Sequence, residues 1–430
     1  MAERFDGLFS WLDEQEAIEV LSRPAGELPN PALQYVAATR LGAASSPQSL
    51  QALLAAAAWS GHGINGRLTR RKALEALGRR PHPQSLVRVL DGLNSDDPGA
   101  VVSAANSVSR LWAAGQTMDS SQLTAALVAA LKGPGTQQRA VIQCLTRLEL
   151  HGAKAAVETR INHGDRLLDG AVRAYLVRHG GGKDLLQPVL ARLQDGEAGQ
   201  RRTAVIDLAL AAQPEHLAAV VRTPVSMPLR AMTAFSLARR GLANGLAPAP
   251  LAALLDELCH DDPRQLRLIG TPQPREDTPA GWAQLLLQRD ENCQYGAAAG
   301  ILHQSKANQS VILEYLHHHH GNDYGGHYMV MRLVGLAGHQ ERSLWLQQGL
   351  EQTAPQYQKS RIAAAVAMGE LALTDQRGAL ERLNNLSNGE QLYWATGLAL
   401  SLLDGEATSS WAVRIQSLNL GTPWPHHQNQ

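Results

Sequence analysis

Little in this chain commits it to a charged partner, a membrane or a redox framework. Its 39 Lys and Arg balance 39 Asp and Glu, for a formal net charge of zero. That balance leaves none of the basic excess that nucleic-acid binding draws on, and no polybasic cluster for an anionic lipid surface. Three cysteines in 430 residues, Cys144, Cys259 and Cys293, lie far apart without CxxC spacing. This argues against a disulfide framework or a zinc cluster and fits a reducing cytosol. Apolar runs such as Leu53 to Trp59 stop well short of a bilayer span. The opening Met-Ala-Glu-Arg-Phe-Asp is acidic and lacks the apolar core of a secretory signal. A cytoplasmic protein is expected, with no nucleic acid and no membrane insertion. Aromatic residues are scarce too, at 4% of the chain with only three Phe, whereas sheets draw on aromatic and β-branched side chains.

What the chain does have is helical periodicity. In Arg67 to Leu77, Leu68, Ala73, Leu74 and Leu77 form an apolar stripe while Arg70, Arg71 and Glu75 stay polar. Small residues recur within such stripes every 30 to 36 residues: Ala37, Ala73, Ala104, Ala140, Ala174, Ala204, Ala234, then Ala298, Leu333, Ala364 and Ala395 after a double step. A period of that length fits two short helices and two turns, each pair burying its face only against the next. Several stripes end in Gly, at Gly42, Gly78, Gly180, Gly241 and Gly338, where a left-handed terminating residue is cheapest. The expected fold is all-α, a HEAT-like α/α superhelix: a curved solenoid of about eleven helix pairs. One interval, 261–280, interrupts the period with four prolines and reads as a long excursion, either a surface loop between two stacks or a rim over a concave site. The organisation expected is N-terminal repeats over 1–260, that excursion, C-terminal repeats over 281–420 and a flexible tail at 421–430.

Candidate chemistry is sparse. Gly61-His-Gly-Ile-Asn-Gly66 has the dinucleotide spelling GxGxxG, but an Ala-rich helix pattern precedes it where the mechanism needs a strand. His317 to His320 are consecutive, and helical neighbours point about 100° apart, so only His317 and His320 can share a face; no metal site is expected. Gly321 to Arg332 gathers Asp323, Tyr324, His327, Tyr328 and Arg332 in a chain with eight Tyr. An Asp before a helix is an ordinary N-cap and two glycines an ordinary turn. At the rim of a solenoid the same group also suits a large conjugated ligand, with rings to stack, a carboxylate for N–H donors and an Arg for acidic groups. Trp282 and Tyr295 flank the preceding repeat and are candidates for the wall of the same pocket. Cys293 has no visible base beside it and reads as a small packing residue.

Three stretches carry a resemblance to a family. Tyr35-Val-Ala-Ala-Thr-Arg-Leu-Gly-Ala, then Asn65-Gly-Arg-Leu-Thr-Arg-Arg-Lys-Ala-Leu-Glu-Ala-Leu-Gly-Arg-Arg, and Gly321-Asn-Asp-Tyr-Gly-Gly-His-Tyr, resemble the E/F-type phycobilin lyases of cyanobacteria, closest to the long single-chain members that serve phycoerythrin. The likeness runs over essentially the whole chain. It implies an enzyme that joins phycoerythrobilin, an open-chain tetrapyrrole, through a thioether to a cysteine of a phycoerythrin subunit. Some members of the family also isomerise the pigment to phycourobilin.

In that reaction a thiolate of the partner adds to the ethylidene of the pigment's first ring, so the enzyme needs no nucleophile and no cofactor of its own. A carboxylate facing the pyrrole N–H groups stabilises the protonated, more electrophilic pigment, the role expected of Asp323. A phenol can move the proton at the carbon that receives the shifted double bond; Tyr324 is expected to do so, with Tyr328 and Tyr295 behind it. Arg332 and Arg230 are the cations expected for the two propionates, each set against a plain solvated helix face. A non-catalytic scaffold for phycobiliprotein assembly is the alternative from a different class. A metal-dependent enzyme centred on the histidine run is a third.

Overall fold

The computed structural model describes residues 9, 11–59, 63–162, 164–385, 389–405 and 414–415. The expected tail at 421–430, and Gly61 and His62 of the glycine-rich motif, lie outside the described residues. Those described form α-helices joined by turns and short 3-10 segments, with no strand among them. The chain divides into two units, one running to Leu186 and one from Gln187 to Thr422.

The first unit holds α1 (Glu14–Ser22), α2 (Leu33–Leu41), α3 (Pro47–Ala57), α4 (Ile64–Leu77) and α5 (Pro83–Gly92). It continues with α6 (Pro98–Ala113), α7 (Ser120–Ala129), α8 (Gly135–Arg147), α9 (Lys154–Glu158) and α10 (Arg166–Arg178). In the second lie α11 (Gln187–Ala191), α12 (Ala198–Ala211), α13 (Leu217–Val221), α14 (Met227–Ala243), α15 (Pro248–His260) and α16 (Pro279–Leu286). There follow α17 (Glu291–Leu302), α18 (Lys306–His320), α19 (Tyr324–Ala337), α20 (Ser343–Glu351), α21 (Gln358–Glu370), α22 (Arg377–Asn385) and α23 (Glu390–Leu403).

Helix starts follow from side chains that satisfy the orphan N–H groups of a first turn. Asp13 and Glu16 make a reciprocal capping box on α1, while Ser46, Asp97 and Asp165 cap α3, α6 and α10. Pro47, Pro83, Pro98 and Pro279 stand in first turns, where a missing N–H costs nothing.

Second helices of successive pairs stack on one another: α2 on α4, α4 on α6, α6 on α8 and α8 on α10 in the first unit; α12 on α14, and α17 through α19 and α21 to α23, in the second. The periodic small residues lie on these helices, and Ala37, Ala73, Ala104, Ala174, Ala204, Ala234, Ala364 and Ala395 expose none of their surface. Backbones meet closely there. A Cβ on Gly369 would stand 2.7 Å from the Ala399 Cα, and one on Gly335 2.6 Å from the Ala367 Cβ, so α19, α21 and α23 approach at positions only glycine fits. The HEAT-like arrangement of paired helices is the fold, as the period implies.

Local details differ from the pattern reading. Leu68 is exposed and the adjacent Thr69 is buried in its place. Of the terminating glycines, Gly180 and Gly338 are left-handed, at φ 87° and 71°. Gly42 and Gly78 stay right-handed, at φ −62° each, and make room for the Arg79 guanidinium and for Ser107 respectively. Gly241 lies inside α14.

The 261–280 segment lies inside the second unit and binds helices before and after it. Arg267 N–H donates to the Arg222 carbonyl, Ile269 exchanges two hydrogen bonds with the Asn292 side chain, and Pro272 fills the space above Gly296. The last helices of this unit also return to α15, which packs on α14, α21 and α23. Asp256 of α15 accepts from Trp394 Nε1 at 2.8 Å and pairs with Arg414, and the Trp394 ring meets Phe235 edge-on.

Candidate functional site

Each of α17, α19 and α21 begins along the same edge of the second unit, and the residues singled out from the sequence fall into two layers there. The inner layer is sealed. Arg230, in the first turn of α14, exposes 1% of its surface. It donates through Nη1 to the Val221 carbonyl at 2.7 Å, through Nε to Val225 at 3.0 Å and through Nη2 to Tyr295 Oη at 2.9 Å, and pairs with Asp261. Tyr295 on α17 and Tyr328 on α19 both donate to Asp261 Oδ2, the former at 2.9 Å. One carboxylate thus ties three helices through two phenols and a guanidinium. Asp261 sits just past α15 in the left-handed region, at φ 42°, which a short polar side chain tolerates.

Electrostatics follow from that enclosure. Burial, with the Asp261 carboxylate next in weight, pushes the Tyr295 and Tyr328 phenols well above their ordinary value. Burial works against the charge on Arg230, but Asp261 and the phenols outweigh it and leave the guanidinium more firmly protonated than usual. Arg332 is engaged likewise: it is 2% exposed and pairs with Glu370 of α21, which also bonds His260 Nδ1 at 2.7 Å. Burial raises the Glu370 carboxyl, yet Arg332 and His260 prevail and hold it below the usual carboxylate range.

The outer layer is open. Asp323 is the N-cap of α19: its Oδ1 accepts the Gly325 and Gly326 N–H groups at 2.8 and 2.7 Å. Its Oδ2 makes no hydrogen bond among the described residues. Tyr324 is 50% exposed and meets the Tyr357 ring edge-on, with centroids 5.3 Å apart. His327 also meets Tyr357 edge-on, with centroids 4.9 Å apart. Burial, then the nearby His317, pushes its imidazole below the ordinary value, and its Nδ1 makes no hydrogen bond among the described residues. Tyr357 immediately precedes α21, and Lys359 in the first turn of that helix lies 5.1 Å over the Tyr328 ring.

Asp323, Tyr324, His327 and Tyr328 are therefore brought together, with Tyr295 and Arg230 directly beneath them. Trp282 lies elsewhere: its ring rests on Gly300 toward the far end of α17, and its Nε1 donates to Asp277 at 2.7 Å. Arg332 faces the opposite end of α19, toward Glu370. Sequence reasoning missed Asp261, Tyr357 and Lys359. Asp261 stands at the start of the proline-rich excursion, where a polar loop residue carries no sign of burial. Tyr357 and Lys359 sit one repeat beyond the motif: Tyr357 precedes α21 as Asp323 precedes α19, and Lys359 falls at the position of Gly325, so aligning repeat starts finds them.

Other features carry less chemistry. His317 stacks on Trp345 and His319 on Tyr315, so the histidine run disperses over different neighbours. Among the described residues no three His, Cys, Asp or Glu side chains come together as metal ligands. Burial raises the thiols of Cys144, to about 11, of Cys259 and of Cys293. Ile64, Asn65 and Gly66 line a shallow cleft of about 470 Å³ with Trp59, and α4 follows α3, not a strand. No described helix is long and apolar enough to cross a membrane.

No family model matches the chain. The uncharacterized phycocyanin operon protein Y of Pseudanabaena tenuis (strain PCC 7409) is 26% identical over 374 residues, spanning 86% of this chain and 87% of that protein. Among solved structures, the complex of CpcE and CpcF of phycocyanin lyase from Nostoc sp. PCC7120 aligns at 19% identity and a TM-score of 0.48, covering 57% of this chain and 95% of that one. The karyopherin Kap121p bound to RanGTP aligns at 14% identity and a TM-score of 0.33, covering 96% and 47%.

Proposed function

We propose that this chain is a bilin lyase, which joins an open-chain tetrapyrrole through a thioether to a cysteine of a phycobiliprotein subunit. The observation that carries this reading is the likeness, over 86% of the chain, to a protein named for a phycocyanin operon. It agrees with the resemblance of the Asn65–Arg80 and Gly321–Tyr328 stretches to the E/F-type lyases. The finer reading is phycoerythrobilin as substrate and a phycoerythrin subunit as acceptor, with isomerisation to phycourobilin from the same acid–base set. The relative's name points to phycocyanin, so acceptor choice is what the experiment must decide.

The outer layer suits the chemistry. The free Oδ2 of Asp323 takes the N–H groups of the protonated pigment and stabilises the cation that the thiolate attacks. As the C–S bond forms at the ethylidene carbon, its π pair moves to the neighbouring ring carbon, which takes a proton from Tyr324. The proton released by the thiol restores the phenol, so nothing leaves and no oxidant is needed. The raised thiols of this chain fit a nucleophile supplied by the acceptor. Tyr295, Tyr328 and Arg230 act from beneath, holding the starts of α17 and α19 in place.

Co-expression with pigment-synthesising enzymes and single phycoerythrin or phycocyanin subunits tests this. A covalently coloured subunit supports it: absorbance tells phycoerythrobilin from phycourobilin, and peptide mapping identifies the cysteine. If no subunit gains covalent colour, the enzymatic reading fails and a scaffold role replaces it.

A further inference from the structure

Among the described residues, the rim holds a cation whose hydrogen bonds are not spoken for. Lys359 is half-buried, and its ammonium makes no hydrogen bond or ion pair among the described residues. It lies 5.1 Å over the face of Tyr328, a cation–π contact weaker than a hydrogen-bonded ion pair. Taking an ammonium partly out of water without a hydrogen-bonded counter-ion is costly, and burial lowers its affinity for the proton accordingly.

Three carboxylates act on it electrostatically: Asp323 first, then Asp261 and Glu291. None of them makes an ion pair with it among the described residues. Asp261 is taken up by Arg230, Tyr295 and Tyr328. Glu291 is gripped by Arg202, with Nε to Oε1 at 2.9 Å and Nη2 to Oε2 at 2.7 Å. Asp323 holds the start of α19 through Oδ1. The two guanidiniums expected to serve acidic groups, Arg230 and Arg332, are buried and paired. The ammonium therefore stands over the Tyr328 ring with its donors unused among the described residues.

We infer that Lys359 is the seat for a carboxylate arm of the ligand, a propionate of the tetrapyrrole, with the conjugated body lying against Tyr324 and Tyr357 and its N–H groups on Asp323. This rests on the bilin reading above. A charge-assisted hydrogen bond from a partly desolvated ammonium is stronger than a neutral one, and it fixes which edge of the pigment faces Asp323.

The test is equilibrium binding of phycoerythrobilin and of its dimethyl ester to the full chain, followed by the shift in pigment absorbance. The wild type should favour the acid over the ester by about tenfold, as one charged contact implies. Lys359→Gln should lose that preference by weakening the acid alone, and Lys359→Arg should keep most of it. Because acid and ester are compared within each variant, partial misfolding cancels. A Lys359→Gln variant that still prefers the acid tenfold, or a wild type indifferent to esterification, overturns the seat while leaving the lyase reading intact. If the wild type binds neither form, it is the bilin reading that fails, and the seat goes with it.

Discussion

Two clusters of the same side-chain types lie one above the other at the starts of α17, α19 and α21, and they differ in who satisfies whom. In the inner one a carboxylate, two phenols and a guanidinium satisfy one another, down to the single Oδ2 that takes both Tyr295 and Tyr328. In the outer one Asp323 keeps an oxygen free, Tyr324 is half in solvent, and the donors of Lys359 are unused. Residue type alone therefore says little about role. A closed set of partners makes a structural rivet, and an open set leaves capacity for a ligand.

Breaking the rivet should have the largest effect. Asp261→Ala leaves Arg230 charged and buried without its counter-ion, which costs about 3–5 kcal/mol, and chemical denaturation should record that loss as an earlier midpoint. Asp323→Asn goes the other way. Asparagine caps helices as well as aspartate does, so stability should hold, while the loss of the carboxylate facing the pigment slows adduct formation about 100-fold in a coupled absorbance assay. If Asp323→Asn unfolds the chain, or Asp261→Ala is as stable as wild type, the distinction between the layers collapses.

Paired phenol deletions sharpen it. Tyr328→Phe removes a buried bond to a carboxylate and should cost about 2 kcal/mol, whereas Tyr324→Phe, half exposed and bonded to nothing buried, should stay within about 0.5 kcal/mol. Adduct formation should show the larger deficit in Tyr324→Phe once both rates are corrected for the folded fraction. Equal stability losses would mean that the two tyrosines sit in equivalent surroundings.

Most of the fold was legible because it repeats. Small residues recur where backbones must approach, and the alanines from Ala37 to Ala395 mark second helices whether or not each stripe is read correctly, as Leu68 and Thr69 show. The outer cluster was legible in part, because Asp323, Tyr324 and His327 share one turn and its first helical positions. The inner cluster was not. Asp261, Tyr295 and Arg230 come from three different repeats, and only folding makes Asp261 a buried partner. A solvated acid and a sealed one are spelled alike, so the propionate role expected of Arg230 and Arg332 followed from their charge, while their burial and pairing came from contacts 31 and 38 residues away. The glycines at Gly42 and Gly78 teach the same point: a neighbour's bulk, not backbone handedness, requires them.

The alkaline limb of stability offers the finest comparison. A phenol whose pKa is raised by folding holds its proton more tightly in the native than in the unfolded chain. Its contribution is fully present below the unfolded value, about 10, and is lost as pH rises beyond it, since the unfolded chain then releases the proton first. Tyr295 and Tyr328 are both raised by burial against Asp261, and Tyr175 of the first unit is pushed up to about 12 by burial beneath the Leu150 carbonyl. Stability should therefore decline above about pH 10, and the phenolate absorbance of these three should appear only together with the loss of helical circular dichroism. Tyr328→Phe should remove amplitude from that coupled step, and Tyr324→Phe should leave the coupled amplitude unchanged. A coupled step that loses equal amplitude in both variants would place the two rings in the same environment and dissolve the difference between the sealed layer and the open one.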